Sequence, residues 1–522
     1  MSDFDWRDRL RRVGPHGWSI AAIMLVAAVL RFWGLGSESL WVDELTTLAQ
    51  TQWGPMRIIT ESVIRGTPPL YYLLLSVVYG VLPAGEWGLR LLSAVADLIS
   101  VYLVYAVGSR LVDRKAALGA AALLAISVRV LWFAQEARAY SLGMMLSLLA
   151  ALTLFRFIER PTWPRGALHT FIAIALLYTH VFSAFVLFGI ELAVLVSPRI
   201  RRRLGAKWWA AAGVTALAYV PWMMALVTQI ATRAQLVDSG DWSIAAPKGT
   251  FGPMISAIGD LAPGVSVAIP YWGPVGWPTY LFIALVVLGL VAPTWRGRSR
   301  PTDEPGSTQP WEFTPSERQT MLAAWAGMVI AGGVLISKAA MPIFGWRMAT
   351  QAAPALFICA ANGVRQLWRP LAIGVAILLL VMGLMGLVPY YDDTLGRGIV
   401  EKEDWRSAVQ FVSEQGRSAD AVLVGASWHT RQMTLYGDLL GRPLPQLTGI
   451  ERGLESDELT AAVRAATDSA DRVIEVSGHV KYRDDGRSPV QAVLEADGWR
   501  RVLKDDARYI RLRVYERTAS TP

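Results

Sequence analysis

Repeated apolar runs constrain this chain more than any other feature of its sequence. Several of them approach the about 20 residues that an α-helix needs to cross a bilayer. The 522 residues are 53% hydrophobic, and their mean hydropathy is positive, which sets the chain apart from ordinary soluble domains. The sequence therefore predicts a polytopic α-helical membrane protein with a soluble part. The formal net charge of +8 does not indicate nucleic-acid binding, because Lys and Arg collect in the cytoplasmic loops of such proteins.

Basic turns set the predicted topology, because the cytoplasmic side carries the excess of Lys and Arg. The N-terminal "RDRLRR" leads into a full-length apolar run with no cleavage site, which predicts an uncleaved first helix and a cytoplasmic N-terminus. The further turns predicted to be cytoplasmic are 109–115, 159–165, 197–207, 294–300 and 365–369. The apolar spans, about eleven crossings by length, are 18–35, 90–108, 116–134, 140–158, 167–180, 182–196, 208–228, 279–293, 320–337, 348–363 and 371–388.

One apolar stretch does not fit this count. "PPLYYLLLSVVYGVLP" (68–83) is short for a span and has prolines at both ends. Counting it as a crossing would also place the basic turn 109–115 outside. We therefore expect an interfacial helix that lies in or dips into the outer membrane surface. The first external loop then covers about 36–89.

The chain becomes ordinary soluble sequence after Pro389. Residues 404–415 have helical spacing, 421–425 and 471–478 have the pattern of buried strands, and "ARYIRLRVYE" alternates like a strand after a short helix. We therefore predict a transmembrane domain over 1–390 and a small α/β domain over 391–522. An odd number of crossings from a cytoplasmic start places the second domain outside.

Ionisable residues gather on the predicted external side. The first loop carries two adjacent acids, Asp43 and Glu44, directly behind a tryptophan and close to the membrane surface. A charge within the membrane costs about 2.5–3.5 kcal/mol on insertion scales, so its presence needs a reason. The other external turns contribute Glu136, Arg138, Tyr140, His180, Lys338 and Arg347. Cations should be scarce on this face, so cations beside carboxylates indicate a site for an anionic ligand.

Each of these residues also has a structural interpretation. Adjacent acids in a loop are usually only solvated. Arg138 can pair with Glu136 or cap a helix, and a single histidine such as His180 is more often a satisfied polar residue. Lys338 and Arg347 can simply extend their charged groups to the membrane–water interface without binding a ligand. The cost of placing charge at this depth favours a functional role for the acidic pair, whereas for the remaining residues a structural and a functional role are both possible.

Several segments of the chain resemble a known family. "LWVDE", "PPLYYLLL", "LRLLSAVADLISVYLVYAVGSRL" and "WFAQEARAYSLGMM" resemble, in that order and spacing, bacterial membrane glycosyltransferases related to dolichyl-phosphate-mannose–protein mannosyltransferases. The aminoarabinose transferases of lipid A are more distant cousins, and all belong to the GT-C superfamily. "FGWRMATQAAPALFICAANGV" is similar to the family's later Arg-containing segment, and "EKEDWRSAVQFV" to the start of the external domain that many members carry.

The resemblance implies a multispanning fold whose external loops bind a polyprenyl-phosphate sugar. By position, Asp43 would be the catalytic base, with Glu44 beside it. Lys338 and Arg347 would contact the lipid-linked phosphate. The substrate-binding residues expected around them are Glu136, Arg138, Tyr140, His180 and Tyr71.

Two positions depart from the family pattern. Thr67 precedes the proline pair where relatives often carry His or an acid, and Met348 follows Arg347 where relatives often carry Tyr. The first departure argues against a bound divalent metal. This departure does not exclude a divalent metal, but we assign no metal ligand and no cofactor from the sequence.

The expected reaction moves a sugar from the lipid phosphate to an acceptor hydroxyl on the external face. One carboxylate that takes the acceptor proton as C1 is attacked predicts inversion at C1. The expected partners are the polyprenyl-phosphate donor, membrane lipids and a glycan, lipid or protein acceptor, with no nucleic acid. The resemblance places the protein in the bacterial cytoplasmic (inner) membrane as a multi-pass protein with an external C-terminal domain.

Two further functions remain possible from the sequence. A transporter of an anionic substrate would also be polytopic with intramembrane charges, but transporters tend to show repeated halves and broken helices at the midplane, and neither is evident. A lipid-linked oligosaccharide ligase or polymerase would differ in the size of its donor, and a polymerase is expected to lack the acidic pair.

Overall fold

The structure, a computed structural model, describes most of the chain. The described residues are 14–82, 85–238, 255, 258, 261–262, 276–292, 311–339, 350–392, 402–425, 427–451, 454–478 and 488–517.

Helices dominate the first three quarters of the sequence. In chain order they are α1 Pro15–Phe32, α2 Val42–Thr51, α3 Pro55–Arg65, α4 Leu70–Val81, α5 Glu86–Leu111, α6 Arg114–Ile126, α7 Val128–Ala134, α8 Tyr140–Glu159, α9 Trp163–Leu177, α10 Ser183–Val196, α11 Pro198–Leu204, α12 Ala206–Asp238, α13 Trp277–Val291, α14 Pro315–Ala339, a 3₁₀ turn Thr350–Ala352, α15 Ala353–Gln366 and α16 Arg369–Tyr391. The remaining elements are α17 Trp405–Gln415, β1 Ala421–Gly425, α18 Trp428–Leu439, β2 Leu447–Ile450, α19 Ser456–Thr467, β3 Arg472–Ser477, α20 Pro489–Ala496, β4 Trp499–Ala507 and β5 Ile510–Arg517.

The prediction of a polytopic helical membrane protein with a small α/β region is confirmed. Within the described residues, five helices are long and apolar enough to cross a membrane, or seven if each of two sharply bent pairs is one span. This is fewer than the eleven crossings expected. The predicted spans 167–180 and 182–196, for example, are helices of 15 and 14 residues, shorter than the about 20 residues that a straight crossing needs.

Glycine brings two of the helices into close contact. A Cβ added to Gly289 of α13 would overlap the carbonyl of Cys359 in α15, and one added to Gly363 would overlap the carbonyl of Leu285. Small residues let helix backbones approach closely where lipid supplies no hydrophobic driving force between them. This pair therefore packs backbone to backbone rather than side chain to side chain.

A buried ion pair joins the first helix to the bundle. Arg31 of α1 donates from Nε to Asp97 of α5 at 2.8 Å, and neither side chain is exposed. The Arg31 Nη2 also donates to the carbonyl of Leu124 at 3.1 Å. Charges at membrane depth persist when they pair with one another and with backbone carbonyls, so this pair has a structural role.

The C-terminal strands form one five-stranded sheet in the order β2-β1-β3-β5-β4. β1 pairs in parallel with β2 and β3, whereas β5 pairs antiparallel with β3 and β4. Strands β1, β3 and β5 and helices α17 and α20 lie where the sequence predicts them. Leu423, Val473 and Tyr515 contribute to its buried core together with Leu494 and Trp499.

The chain divides into two compact units. The helical unit contains 1–33, 54–74 and 91–399, and the mixed unit contains 34–53, 75–90 and 400–522. The mixed unit therefore combines the sheet with two segments of the predicted first external loop. The domain limits expected from the sequence, 1–390 and 391–522, stay a prediction.

Candidate functional site

The acidic pair lies on the first turn of α2 in the mixed unit. The helix begins after Trp41, whose side chain provides no cap, and Asp43 and Glu44 are its second and third residues. Acids are favoured there because the exposed N–H groups of a helix start carry partial positive charge. The two carboxylates differ in environment, since Glu44 is fully buried and Asp43 is half-buried.

Glu44 is held by a buried arginine. Arg90 donates from Nε to one Glu44 oxygen at 2.8 Å and from Nη2 to the other at 2.7 Å. This two-point geometry is the strong form of the Arg–carboxylate pair. The exposed fraction is 1% for the Arg90 side chain and 0% for that of Glu44, so the pair is sheltered from solvent.

The same guanidinium organises the backbone before α2. Arg90 Nη1 donates to the carbonyls of Leu35 and Glu38, each at 3.0 Å, and Nη2 donates to that of Ser39 at 3.0 Å. These bonds satisfy loop carbonyls that are buried or partly buried. Arg90 therefore fixes the path of the chain that leads into the acidic pair.

The C-terminal segment of the mixed unit also contacts the start of α2. The Glu403 carboxylate accepts from the Val42 N–H at 3.4 Å and from the Trp405 indole N–H at 2.9 Å. Because the first N–H groups of a helix have no partner within it, Glu403 serves as a cap supplied from a distant part of the sequence. Gln432 of α18 adds a bond from Nε2 to Thr46 Oγ1 at 2.8 Å.

A second ion pair connects the loop with the sheet region. Arg406 donates to Glu86 at 2.8 Å and to the carbonyl of Ser37 at 2.7 Å. The Tyr436 hydroxyl donates to Glu86 at 2.9 Å and accepts from the Leu40 N–H at 3.1 Å. Burial, the largest cause, raises the pKa of Tyr436 to about 12, so the hydroxyl stays protonated and can donate.

The predicted substrate-binding residues lie in the helical unit. Glu136 is buried and accepts from the Trp132 indole N–H at 3.0 Å. The Arg138 carbonyl accepts from Ser93 Oγ at 3.2 Å, and the Tyr71 hydroxyl lies 2.9 Å from the same Ser93 oxygen. Ser93 therefore brings Tyr71 of α4 close to the turn that carries Arg138.

Tyr140 and His180 pack against each other in the same unit. Their ring centroids are 5.2 Å apart, and the Phe133 ring centroid lies 4.4 Å from that of Tyr140. His180 lies between α9 and α10, and its Nδ1 accepts from the Phe182 N–H at 3.2 Å, which leaves Nε2 for another partner. Burial, with a smaller contribution from the charge of Arg138, lowers the pKa of His180 to about 4, so the imidazole is neutral near pH 7.

The two expected phosphate ligands are not placed. Arg347 lies outside the described residues, and Lys338 belongs to α14 but its side chain is outside them as well. Their contact with a lipid phosphate stays a prediction. Among the residues that are described, no group of three or more His, Cys, Asp or Glu side chains could hold a metal ion.

Sequence reasoning missed the residues that bind Glu44 and fix the loop that leads into α2. Arg90, Glu86, Glu403, Arg406 and Tyr436 were not selected, although Arg90 lies within "LRLLSAVADL", one of the segments that carry the resemblance. One signal was available for Arg90, because a lone arginine at the start of an apolar run needs a partner. No local signal pointed to Arg406, which pairs with a residue 320 positions away.

Comparison with known proteins supports the resemblance. Residues 66–235 match the family model described as dolichyl-phosphate-mannose-protein mannosyltransferase. No curated protein sequence matches the chain.

Solved structures share the fold along nearly the whole chain. ArnT from Cupriavidus metallidurans bound to undecaprenyl phosphate is 15% identical with a TM-score of 0.54, covering 97% of this chain and 99% of its own. The oligosaccharyltransferase AglB from Archaeoglobus fulgidus, in complex with an inhibitory peptide and a dolichol-phosphate, is 10% identical with a TM-score of 0.50, covering 89% of this chain and 69% of its own.

Proposed function

We propose that this chain is a membrane glycosyltransferase of the GT-C superfamily, and that it moves a sugar from a polyprenyl-phosphate donor to an acceptor hydroxyl. The family match is to a mannosyltransferase model, and the ArnT structure of the same fold contains undecaprenyl phosphate. The transferred sugar is a hexosyl or pentosyl group in this proposal. The acceptor is a glycan, a lipid or a protein.

One observation carries the assignment of roles: the two adjacent acids are not equivalent. Glu44 already accepts two charge-assisted hydrogen bonds from Arg90 and is buried. A carboxylate held in this way is a weak proton acceptor, because protonation would break the ion pair. Asp43 is half-buried on the adjacent position. We therefore assign the base to Asp43 and a positioning role to Glu44.

The proposed reaction is a single displacement at the sugar's C1. The acceptor oxygen forms a bond to C1 while the bond from C1 to the phosphate oxygen breaks. The acceptor proton goes to Asp43, and the electron pair of the broken bond stays on the polyprenyl phosphate. General-base catalysis of this kind typically gains about 10²–10⁴-fold. A direct attack without a covalent sugar–enzyme intermediate inverts the configuration at C1.

The leaving phosphate gains negative charge as the bond breaks. Arg138, Lys338 and Arg347 are cations that the sequence predicts at helix ends on the external face, and we assign them to that charge. A preorganised donor aimed at developing charge is commonly worth about 3–4 kcal/mol. Neutral His180 and Tyr140 supply hydrogen-bonding and ring contacts for the sugar in this proposal.

The lipid tail of the donor determines where the reaction must occur. Because the tail holds the phosphate at the membrane surface, the catalytic groups have to lie at that depth. We propose that this surface is the external face of the bacterial cytoplasmic membrane, with the N-terminus in the cytoplasm. The C-terminal sheet region is then external.

A donor panel tests the proposal. The purified full-length chain is mixed with polyprenyl phosphates that carry different sugars, and the thermal unfolding midpoint is followed, since a ligand that binds only the folded state stabilises it. A donor should raise the midpoint and yield a glycosylated product when an acceptor is added. A chain that binds the lipid sugar, never transfers it, and moves it across sealed vesicles would instead be a transporter.

The size of the donor distinguishes the proposed single-sugar transferase from the nearest alternative, a ligase or polymerase. A single-sugar transferase should turn over the monosaccharide donor, whereas a ligase or polymerase should require a lipid-linked oligosaccharide. If product forms only from the oligosaccharide donor, the protein is a ligase or polymerase and the proposed function is wrong.

A further inference from the structure

A groove in the helical unit has no part in the proposed reaction. It encloses about 370 Å³ and is lined by residues of α6, α15 and α16. Most of its wall consists of small or aliphatic side chains, which include Gly119, Ala122 and Ala376. Lys115 and Arg365 are the charged residues that line it.

The groove narrows where α6 ends. A Cβ added to Gly383 of α16 would lie 2.5 Å from Ile126 Cδ1, so the two helices are in tight contact at that level. Nearer the start of α6, Gly119 would meet Ala361 of α15 at an ordinary 3.5 Å. The small side chains of Ala122 and Ala376 line the groove at this level and leave its space unfilled. The space is therefore a wedge that is open at the end with Lys115.

The length of the wedge matches one leaflet of a bilayer. Lys115 and Ile126 are eleven positions apart on α6, and at a rise of about 1.5 Å per residue they span roughly 16 Å. The hydrocarbon core of a bilayer is about 30 Å thick, so this is close to half of it. The groove is therefore about as long as the hydrocarbon region of one leaflet, from the headgroups to the bilayer midplane.

Positive charge surrounds the open end of the wedge. Lys115 is exposed on the first turn of α6, and Arg365 near the end of α15 is bound to Asp113 by an ion pair of 2.5 Å. Asp113 in turn accepts from the Lys115 and Ala116 N–H groups and caps α6. Two further exposed cations, Arg114 and Arg369, begin α6 and α16. Both basic turns, 109–115 and 365–369, are predicted to be cytoplasmic.

We propose that this groove binds an anionic phospholipid of the cytoplasmic leaflet. The phosphate lies against Lys115 and Arg365, and one acyl chain follows the apolar wall towards Ile126. Basic pockets between membrane helices on the cytoplasmic side are a known way of holding anionic headgroups. Charge complementarity selects an anionic lipid over a zwitterionic one, and the tight contact of Ile126 with Gly383 limits the depth of the chain.

Lipid titration of the full-length protein in detergent tests the site. Phosphatidylglycerol and phosphatidylcholine with the same acyl chains are added separately, and the thermal unfolding midpoint gives each apparent Kd. We expect a saturable increase with phosphatidylglycerol and a much smaller one with phosphatidylcholine. Because a lysine near an anionic surface contributes about 1 kcal/mol, Lys115→Gln should weaken phosphatidylglycerol binding about fivefold.

Two further variants separate this groove from general surface charge. Arg202→Gln removes an exposed cation on α11, which does not line the groove, and should leave the Kd unchanged. Ala122→Phe fills the wedge while keeping every charge, and should abolish the saturable increase. Equal responses to the two lipids, equal losses in Lys115→Gln and Arg202→Gln, or normal binding by Ala122→Phe would each overturn the proposal. The midpoint without added lipid shows that each variant is folded.

Discussion

Removing the Arg90 guanidinium should unfold the loop that presents Asp43. Arg90 makes five hydrogen bonds, two to Glu44 and three to backbone carbonyls. Arg90→Met leaves the Glu44 carboxylate buried without that partner, and breaking a buried pair from one side costs about 3–5 kcal/mol. A penalty of this size is comparable to the whole stability of many domains, about 5–15 kcal/mol.

A double-mutant cycle measures that pair directly. Arg90→Met, Glu44→Leu and the double variant are compared by denaturant unfolding and by sugar transfer. The double variant should recover much of the stability, because an apolar pair of similar volume often replaces a buried ion pair with little loss. Transfer should stay low in it, since the bonds from Arg90 to the Leu35, Glu38 and Ser39 carbonyls are still missing. A cost below about 1 kcal/mol for Arg90→Met would refute this reasoning.

Three more perturbations follow from the described contacts. Arg406→Gln should lower kcat more than it changes donor binding, because it removes the hydrogen bonds to Glu86 and to the Ser37 carbonyl. Arg417→Gln replaces an exposed arginine and is the control in the same kinetic assay. Burial lowers the pKa of His180 to about 4, below the ordinary value of about 6.5. Because the unfolded chain then takes up a proton at a higher pH than the folded chain, stability should fall as the pH drops from about 6.5 towards 4. His180→Gln should flatten that pH dependence of the unfolding midpoint. Arg31→Met should lower the unfolding midpoint strongly, since Asp97 would remain buried without its ion-pair partner, and a shift no larger than that of a surface variant would contradict this.

Much of the C-terminal fold was predictable because it depends on local patterns. β1 is a short apolar run, β3 has a short β-branched pattern bounded by a turn, and β5 has the alternation of a strand. β4 was missed because most of its residues are exposed and its charged sequence has no apolar face. β2 has only four residues, too few for a pattern to be recognised. Its parallel pairing with β1 is a long-range contact that no local window contains.

The candidate site was predictable only in part. The cost of charge near the membrane pointed to Asp43 and Glu44, but it did not distinguish the environments of the two carboxylates. Glu44 is distinguished by its two bonds from Arg90, which lies 46 positions later in the chain. Such pairings depend on tertiary structure, so a single sequence without its fold does not show which of the two acids Arg90 binds.

Sugar transfer by Asp43→Asn in the purified chain is the most direct test of the account. With a donor identified from the panel, the variant should bind the lipid sugar with unchanged affinity and lose about 10²–10⁴-fold in kcat, because Asn has nearly the same shape but takes no proton. Transfer at the rate of the unsubstituted protein would contradict the account, since the acceptor proton would then go elsewhere.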